Sequence, residues 1–463
     1  MPRTNARLAL PTLAAATLFG CIVQIDGSLD VGDDEADTSN EDDASTDSGG
    51  SSDEGYTIDP DPTNSTEDEG ETDTGLAGDG CAQAIDILFV IDNSGSMAEE
   101  QRQVVDAIGS MVASLDLAGM DWRIGVTTTD NGNPWCPASS TTPEAGRLVS
   151  SSCRERLGDF LFSDTVDVQE SGCLDVCAHE QIAMASTVID GVVQPAGHWV
   201  ERIDGVANTV APQGDGFVEV DPVEALRCIL PQGVNGCGFE SQLESMNLAI
   251  ARSFDAEPNL GFLRDDAQLA VVIISDESDC SYDQDWVDIF MPEGNKTFWT
   301  DPSASFPTSA VCWNAGMRCI GDGPVYSDCV AVDKDVEGNE LEGANEGSAV
   351  LHPVSRYAEV LANLEHDKQQ VDPDAKVLVF GVVGVQLDGS LHFEDVGDSD
   401  PAFQDSFGIG PGCTGEGNAA ASPPGRMREV VGEFDGTLHS VCKTQYIDAF
   451  KTIANRVTAD CGQ

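Results

Sequence analysis

Four apolar runs of strand length divide the chain. Residues 85–91, 269–274 and 376–383 are almost continuously apolar, and residues 122–127 form a shorter run of the same kind. Such runs are typical of strands that are buried on both faces. Their alternation with helical segments predicts an α/β fold with a doubly wound, mostly parallel sheet. Apolar residues at helical spacing mark those segments: Val104, Ile108, Val112 and Leu115; Leu243, Met246 and Ile250; Val354, Tyr357, Leu361 and Leu364; and Tyr446, Phe450, Ile453 and Val457.

Oxygen-bearing side chains follow two of these predicted strands directly. Asp92, Ser94 and Ser96 come after the first run, and Asp276 comes after the run at 269–274. Ligands of open parallel sheets bind outside the carboxyl ends of the strands. We therefore expect these four side chains to contribute to one site.

The pattern Asp92-x-Ser94-x-Ser96 after an apolar strand resembles the first motif of the metal-ion-dependent adhesion site of von Willebrand factor A domains. Asp276 is similar in position to the Asp of that family's third loop. The resemblance implies a von Willebrand factor A, Rossmann-like fold and a divalent cation, Mg²⁺ with Mn²⁺ or Ca²⁺ as alternatives. It also implies that a partner completes the coordination of the ion. Because serine hydroxyls add no charge, an ion held in this way can accept a carboxylate from a partner.

The second loop of the predicted site departs from the family, which normally supplies a threonine there. Spacing back from the helix at 243–250 places Glu240 at the threonine position, with Ser241 beside it. If Glu240 is a ligand, three carboxylates offset the charge of the ion, and a neutral or basic partner is favoured over an acidic one. Ser241 as the ligand would preserve the family chemistry, and Glu240 as a helix cap is a further alternative.

The loop after Asp276 is acidic as well. It continues with Glu277, Asp279, Asp283 and Asp285, which could form a second, calcium-like site or a solvated acidic loop. Since the whole chain is acidic, the solvated loop is the prediction.

The segment 81–463 is longer than one domain of this family. We expect insertions at about 131–237, 293–351 and 385–444, all rich in Gly, Pro and Asp and all containing cysteine, with a short helix at 221–230. Structureless loops of such length are uncommon in compact domains, so disulfides are expected to organise them. The ends of the family's fold are neighbours, which implies a Cys81–Cys461 pair. A Cys413–Cys442 pair would close the last insertion.

The N-terminus resembles a bacterial lipoprotein signal. Arg3 and Arg7 precede an apolar stretch at 8–19 that is too short to span a bilayer, and Cys21 follows a small residue. The resemblance implies a signal peptide at 1–20, a lipidated Cys21 and a Gram-negative cell envelope. Because Ile22 replaces the Asp that retains such proteins in the inner membrane, we expect an outer-membrane lipoprotein on either face. An ordinary secretory signal is the alternative.

Charge excludes some classes of partner. The 463 residues carry 22 Lys+Arg against 82 Asp+Glu, a formal net charge of −60. Nucleic acids and anionic lipid surfaces require basic patches, so contact with a membrane is expected through the lipid anchor only. Residues 21–80 are acidic and polar without Lys or Arg, which predicts a disordered tether. Of the 15 Cys, 14 remain when the lipidated Cys21 is set aside. An even number of cysteines in an exported protein indicates disulfides.

Binding is favoured over catalysis. The sequence has no HExxH, Walker A or GxSxG motif, and its six His are scattered. We expect a non-enzymatic module that binds a protein or cell-wall partner through a divalent cation. The alternatives are metal-assisted hydrolysis and metal-independent binding through the cysteine-rich insertions.

Overall fold

The computed structural model describes residues 82–459, apart from 137–140, 142, 163–165, 190, 257, 344–346 and 417–418. The predicted signal peptide, the lipidated Cys21, the tether at 21–80 and the Cys81–Cys461 pair lie outside the described residues. Among the described helices, none has the length and apolar character needed to cross a membrane.

A central seven-stranded sheet organises the described residues. The strands are β1 (Ala84–Ile91), β2 (Asp121–Thr128), β3 (Val200–Ile203), β4 (Val206–Ala207), β5 (Gln268–Ile274), β6 (Val377–Val383) and β7 (Leu438–Ser440). Their order in the sheet is β7-β6-β5-β1-β2-β3-β4. The five strands from β7 to β2 run parallel, and β3 and β4 add antiparallel pairings at one edge. The predicted α/β class with a mostly parallel sheet is therefore confirmed.

Helices cover both faces of this sheet. The helices are α1 (Ala98–Leu117), α2 (Pro222–Ile229), α3 (Gln242–Asp255), α4 (Ala310–Gly316), α5 (Val354–Gln369), α6 (Pro401–Phe407), α7 (Gly425–Glu433) and α8 (Ile447–Val457). Alternate residues of β1 point to opposite sides of the sheet. Ile87 and Phe89 therefore pack with α1, α2 and α8, whereas Leu88 and Val90 pack with α3, α5 and α7. Burial on both faces explains why β1, β5 and β6 are continuously apolar.

The predicted insertions are partly built into the fold. The segment 131–237 supplies β3, β4 and α2, and the segment 385–444 supplies α7 and β7. Asp221 caps α2, since its carboxylate accepts a hydrogen bond from the Val223 amide at 2.9 Å, in agreement with the predicted short helix. Shorter strand pairs lie elsewhere in the insertions: Leu161–Phe162 with Val166–Asp167, Ala183–Met184 and Gly216–Glu219 on either side of Thr209–Gln213, Thr187–Ile189 with Val192–Gln194, Met317–Ile320 with Asp328–Ala331, and Cys413–Thr414 with Ala420–Ala421.

Disulfides close all three insertions. The predicted Cys413–Cys442 pair is present. Cys136–Cys237 joins the two ends of the first insertion across a sequence separation of 101 residues. Every cysteine in the described part of the chain is in a disulfide, which removes these thiols from zinc binding; the remaining pairs are Cys153–Cys173, Cys177–Cys228, Cys280–Cys312 and Cys319–Cys329.

Candidate functional site

The predicted site lies where the strand order of the sheet reverses. β1 has β2, the next strand along the chain, on one side and β5 on the other. Ile91 and Ile274 are paired at the ends of β1 and β5, and the Asp92 amide donates to the Ile274 carbonyl at 2.9 Å. This junction is the usual ligand position in open α/β sheets. The two acidic loops therefore meet as expected from the sequence.

The first loop folds around the Asp92 carboxylate. Its Oδ1 accepts a hydrogen bond from the Ser94 amide at 2.8 Å, and its Oδ2 accepts one from Ser275 Oγ at 2.6 Å. Ser94 Oγ and Ser96 Oγ are 3.2 Å apart. Ser96 is exposed and does not cap α1, whose N-cap residue Met97 makes no side-chain cap. The two hydroxyl groups thus lie side by side at the end of β1.

Asp276 contributes a carboxylate with an unsatisfied oxygen. Its Oδ1 is buried and has no hydrogen-bond partner. Burial, followed by the negative charges of Asp92 and Glu277, raises its pKa well above the ordinary value, and the nearby Ser96 hydroxyl opposes this only weakly. The Ser96 hydroxyl of the first loop is thus close to the carboxylate of the third loop.

Glu240 lies in the same acidic cluster. It is fully buried, its Oε2 accepts a hydrogen bond from Thr129 Oγ1, and its Oε1 has no partner. Burial and then the charge of Asp92 raise its pKa well above the ordinary value. Ser241 points its hydroxyl to the Cys280 carbonyl at 3.0 Å instead. Of the two second-loop alternatives, Glu240 is the one that faces Asp92.

Capping of α3 falls to other side chains. Asp279 Oδ1 accepts a hydrogen bond from the Leu243 amide at 3.0 Å, and Ser281 Oγ accepts one from the Glu244 amide at 2.9 Å. These contacts satisfy amides that the first turn of a helix leaves free. The alternative in which Glu240 caps this helix has no supporting contact.

The interpretation of the loop after Asp276 as solvated was wrong for its first two acids. Glu277 is buried and its Oε2 accepts a hydrogen bond from Ser309 Oγ at 2.8 Å. Asp279 is buried in an ion pair with Arg426, 2.8 Å from Nε to Oδ2. The interpretation holds better for Asp285, which is exposed. The spacing of acidic residues along a loop does not show which of their side chains face the protein interior.

Two further carboxyl groups complete the cluster. Burial, and then the charge of Asp92, raises the pKa of Glu277 to about 8. Burial is also the main cause that raises the pKa of Glu100 to about 7. Sequence analysis missed Glu100, although it lies four residues before Val104 on the buried face of α1. A charged residue in register with an apolar helix stripe is the signal that could have found it.

The cluster consists of Asp92, Glu100, Glu240, Asp276 and Glu277. None of these five side chains takes part in an ion pair recorded among the described residues. Burying uncompensated carboxylates is costly, so such groups either keep a proton or bind a cation. The orphaned oxygens of Glu240 and Asp276 and the neighbouring serine hydroxyls are oxygen donors of the kind that Mg²⁺ and Ca²⁺ take. Within the part of the chain that the structure describes, no three His, Cys, Asp or Glu side chains are grouped as a formed metal site requires.

The sequence matches no protein-family model, and no curated protein matches it. The family resemblance thus depends on the motif Asp92-x-Ser94-x-Ser96 and on the placement of Asp276 after a second strand.

Proposed function

We propose that the chain binds a divalent cation at the junction of β1 and β5. The observation that carries this proposal is the cluster of buried carboxyl groups, three of which (Glu100, Glu240 and Asp276) have an oxygen without a hydrogen-bond partner. Mutual repulsion raises their proton affinity, and a cation would relieve it. The residues that would hold the ion are Asp92, Ser94, Ser96, Glu240 and Asp276, with Mg²⁺ as the first candidate and Mn²⁺ or Ca²⁺ as alternatives.

The proposed activity is binding, in a von Willebrand factor A-like domain. A bound divalent cation supplies a positive centre that can take an oxygen ligand from a partner. The chain's own residues orient the site: Ser275 donates a hydrogen bond to the Asp92 carboxylate, and Thr129 donates one to Glu240. We further propose that the domain is anchored through Cys21 to the outer membrane of a Gram-negative envelope and binds a protein or cell-wall partner.

The charge of the cluster favours a neutral or basic partner group. Three carboxylates among the proposed ligands exceed the charge of a divalent ion, and Glu100 and Glu277 add negative charge once the pH passes their raised pKa values. A partner carboxylate would be repelled by this excess. The acidic-ligand mode implied by the family resemblance is therefore not the mode we propose here.

Metal-independent binding through the insertions has one observation in its favour. The hairpin strands Thr187–Ile189 and Val192–Gln194 expose Val188, Val192 and Val193, and Phe217, in another hairpin of the same insertion, is 68% exposed. Exposed apolar side chains grouped on protruding hairpins can mark contact surfaces.

Metal titration of the full chain tests the proposal. After treatment with EDTA, the protein is titrated with Mg²⁺, Mn²⁺ and Ca²⁺ while its melting temperature is followed. An ion that binds only the folded state at about 100 times its Kd stabilises by about 2.7 kcal/mol. We expect Asp276→Asn and Glu240→Gln to lose most of the shift, because each removes one charged ligand.

The control is Glu180→Gln, at a side chain that is 79% exposed and far from the cluster in sequence. It should respond to metal as the parent protein does. An equal response in Asp276→Asn and in the parent would exclude this site. Loss of partner capture in EDTA would support the binding role, provided that Glu180→Gln still captures the partner when metal is present. Capture that does not depend on metal would favour the insertions instead.

A further inference from the structure

A polar crevice lies beside the first loop of the candidate metal site. It is bounded by Asn93, which stands between Asp92 and Ser94, and by Thr128 at the end of β2. The empty volume, mouth included, is about 290 Å³, and its enclosed part has room for a group the size of a water molecule. The remaining walls come from Glu144, Arg156, Asp159, Gln232 and Asn235.

Three of the lining side chains have an oxygen atom without a hydrogen-bond partner. They are Asn93 Oδ1, Thr128 Oγ1 and Gln232 Oε1, and all three residues are more than nine-tenths buried. The orientation of the Gln232 amide is set by its Nε2, which donates to the Ile229 carbonyl at 2.5 Å. Buried acceptors normally have partners, so three orphans around one crevice indicate a missing donor.

The crevice is lined by one more carboxylate than guanidinium. Glu144 and Asp159 bring two carboxylates against the one guanidinium of Arg156. Arg147, which does not line the crevice, has its Nε 3.8 Å from the Glu144 carboxylate, but its side chain is 43% exposed, so water screens this pair. The guanidinium of Arg156 is already engaged, because Nη1 donates to Asp159 Oδ2 at 3.2 Å and Nη2 to the Pro231 carbonyl at 3.0 Å. It disfavours a divalent ion in the crevice by repulsion. A compact donor with a single positive charge fits both the size and the charge.

The backbone around the crevice is closely packed. The Gly236 amide donates to the Asn93 carbonyl at 2.7 Å, and a Cβ at Gly236 would lie 2.3 Å from Asn93 Oδ1. The Val234 amide donates to the Asp159 carbonyl at 2.7 Å. These contacts hold the loop at 231–236 against the first loop, so the acceptors are fixed before a ligand arrives.

We propose that this crevice is a subsite for a primary ammonium group, such as that of a lysine side chain of a binding partner. An ammonium group carries three N–H donors on one small atom, which matches the three orphaned oxygens. Glu144 supplies the opposite charge. The subsite does not depend on a bound metal. A lysine held here would lie next to the proposed cation site, in agreement with the basic partner proposed above.

The probe for this subsite is Nα-acetyl-lysine amide, with Nα-acetyl-norleucine amide as the matched compound without the amine. Binding to the full chain is followed by saturation-transfer NMR in EDTA, so that the metal site does not contribute. We expect the lysine compound to bind and the norleucine compound not to bind. Asp276→Asn should bind the lysine compound normally, which separates this subsite from the metal proposal.

Two variants test the assigned oxygens. Thr128→Val removes a hydroxyl that has no partner in the free protein, so it should leave the melting temperature unchanged while weakening the lysine compound at least about fivefold. Glu144→Gln should weaken it similarly by removing the charge. The controls are Thr452→Val and Glu155→Gln, which alter a threonine and a glutamate that do not line the crevice.

The outcomes decide the proposal. Three results would overturn it. The norleucine compound could bind as well as the lysine compound, or the affinity could be unchanged in both Thr128→Val and Glu144→Gln. If neither compound binds, the crevice holds only water. Ammonium chloride that competes with the lysine compound, where tetramethylammonium chloride does not, would support the ammonium chemistry. Potassium chloride competing as well as ammonium chloride would overturn it in favour of a general monovalent cation.

Discussion

Ser275 Oγ donates a hydrogen bond to Asp92 Oδ2 at 2.6 Å and so ties the end of β5 to the end of β1. This bond lowers the pKa of Asp92, whereas burial, the larger effect, raises it. The net pKa is raised, so the hydroxyl only limits the protonation that burial favours. Because a protonated Asp92 is a poor ligand for a cation, Ser275 acts as a positioning residue for the proposed site.

Ser275→Ala should weaken both folding and metal binding. A hydrogen bond to a charged group contributes about 1.5–3 kcal/mol, so we expect the free energy of unfolding to fall by that amount near neutral pH. The pKa of Asp92 should rise further, and the metal affinity should fall more at low pH than at high pH. Urea unfolding and calorimetric titration measure the two effects. Ser278→Ala, which removes a hydroxyl bonded at 3.1 Å to Ser422 Oγ, should leave the metal affinity unchanged.

The buried carboxyl groups should make the metal-free protein less stable as the pH rises. The folded-state pKa is raised from 4.5 to about 8 for Glu277 and to about 7 for Glu100. Between about pH 4.5 and pH 8 the folded protein therefore binds more protons than the unfolded chain, and its free energy of unfolding decreases with pH. The stabilising contribution is complete below the lower value and lost as the pH passes the folded-state pKa values.

Melting temperatures in EDTA across this pH range check the expectation. Glu277→Gln should flatten the decline, and Glu180→Gln should not change it. Because a cation binds the deprotonated carboxylates, the rise in melting temperature on adding Mg²⁺ should be larger near pH 8 than near pH 5. A melting temperature that increases with pH in EDTA would contradict the assigned pKa directions.

The Cys136–Cys237 disulfide should support the second loop of the site. It joins residues 101 apart, for which the chain-entropy model gives about 4.7 kcal/mol of stabilisation. Cys237 lies three residues before Glu240, so replacing both cysteines by serine should lower the metal affinity as well as the stability. The Cys319–Cys329 disulfide has a separation of 10 residues and contributes no residue to the site. Its removal should reduce stability by less and leave the metal affinity as it was.

The buried Asp279–Arg426 ion pair should contribute strongly to the stability of the fold. The two side chains are 0% and 2% exposed, and removal of one partner from such a pair costs about 3–5 kcal/mol. Asp279→Asn should lower the free energy of unfolding by this amount in urea denaturation. Asp328→Asn is the matched control, since Asp328 is 41% exposed in its pair with Arg428 and should cost no more than about 1 kcal/mol.

Local sequence was sufficient for the parallel core of the fold. The apolar runs predicted β1, β2, β5 and β6, because a strand covered on both faces has no polar alternation to obscure it. The short strands β3, β4 and β7 have between two and four residues, which is too few to show a period. Their place in the sheet depends on pairing with strands that are distant in sequence.

The sequence by itself determined that Asp92 and Asp276 each follow a buried strand of one parallel sheet and so lie at the same edge, since parallel strands carry their carboxyl ends to one edge. Only the tertiary structure decided that Glu100, Glu240 and Glu277 bury their carboxyl groups in the same place, while Asp279 turns away to pair with Arg426. Charge along a chain does not record which side chains lose water on folding. Burial and mutual repulsion arise from long-range packing, and they are what raise the pKa values of this cluster.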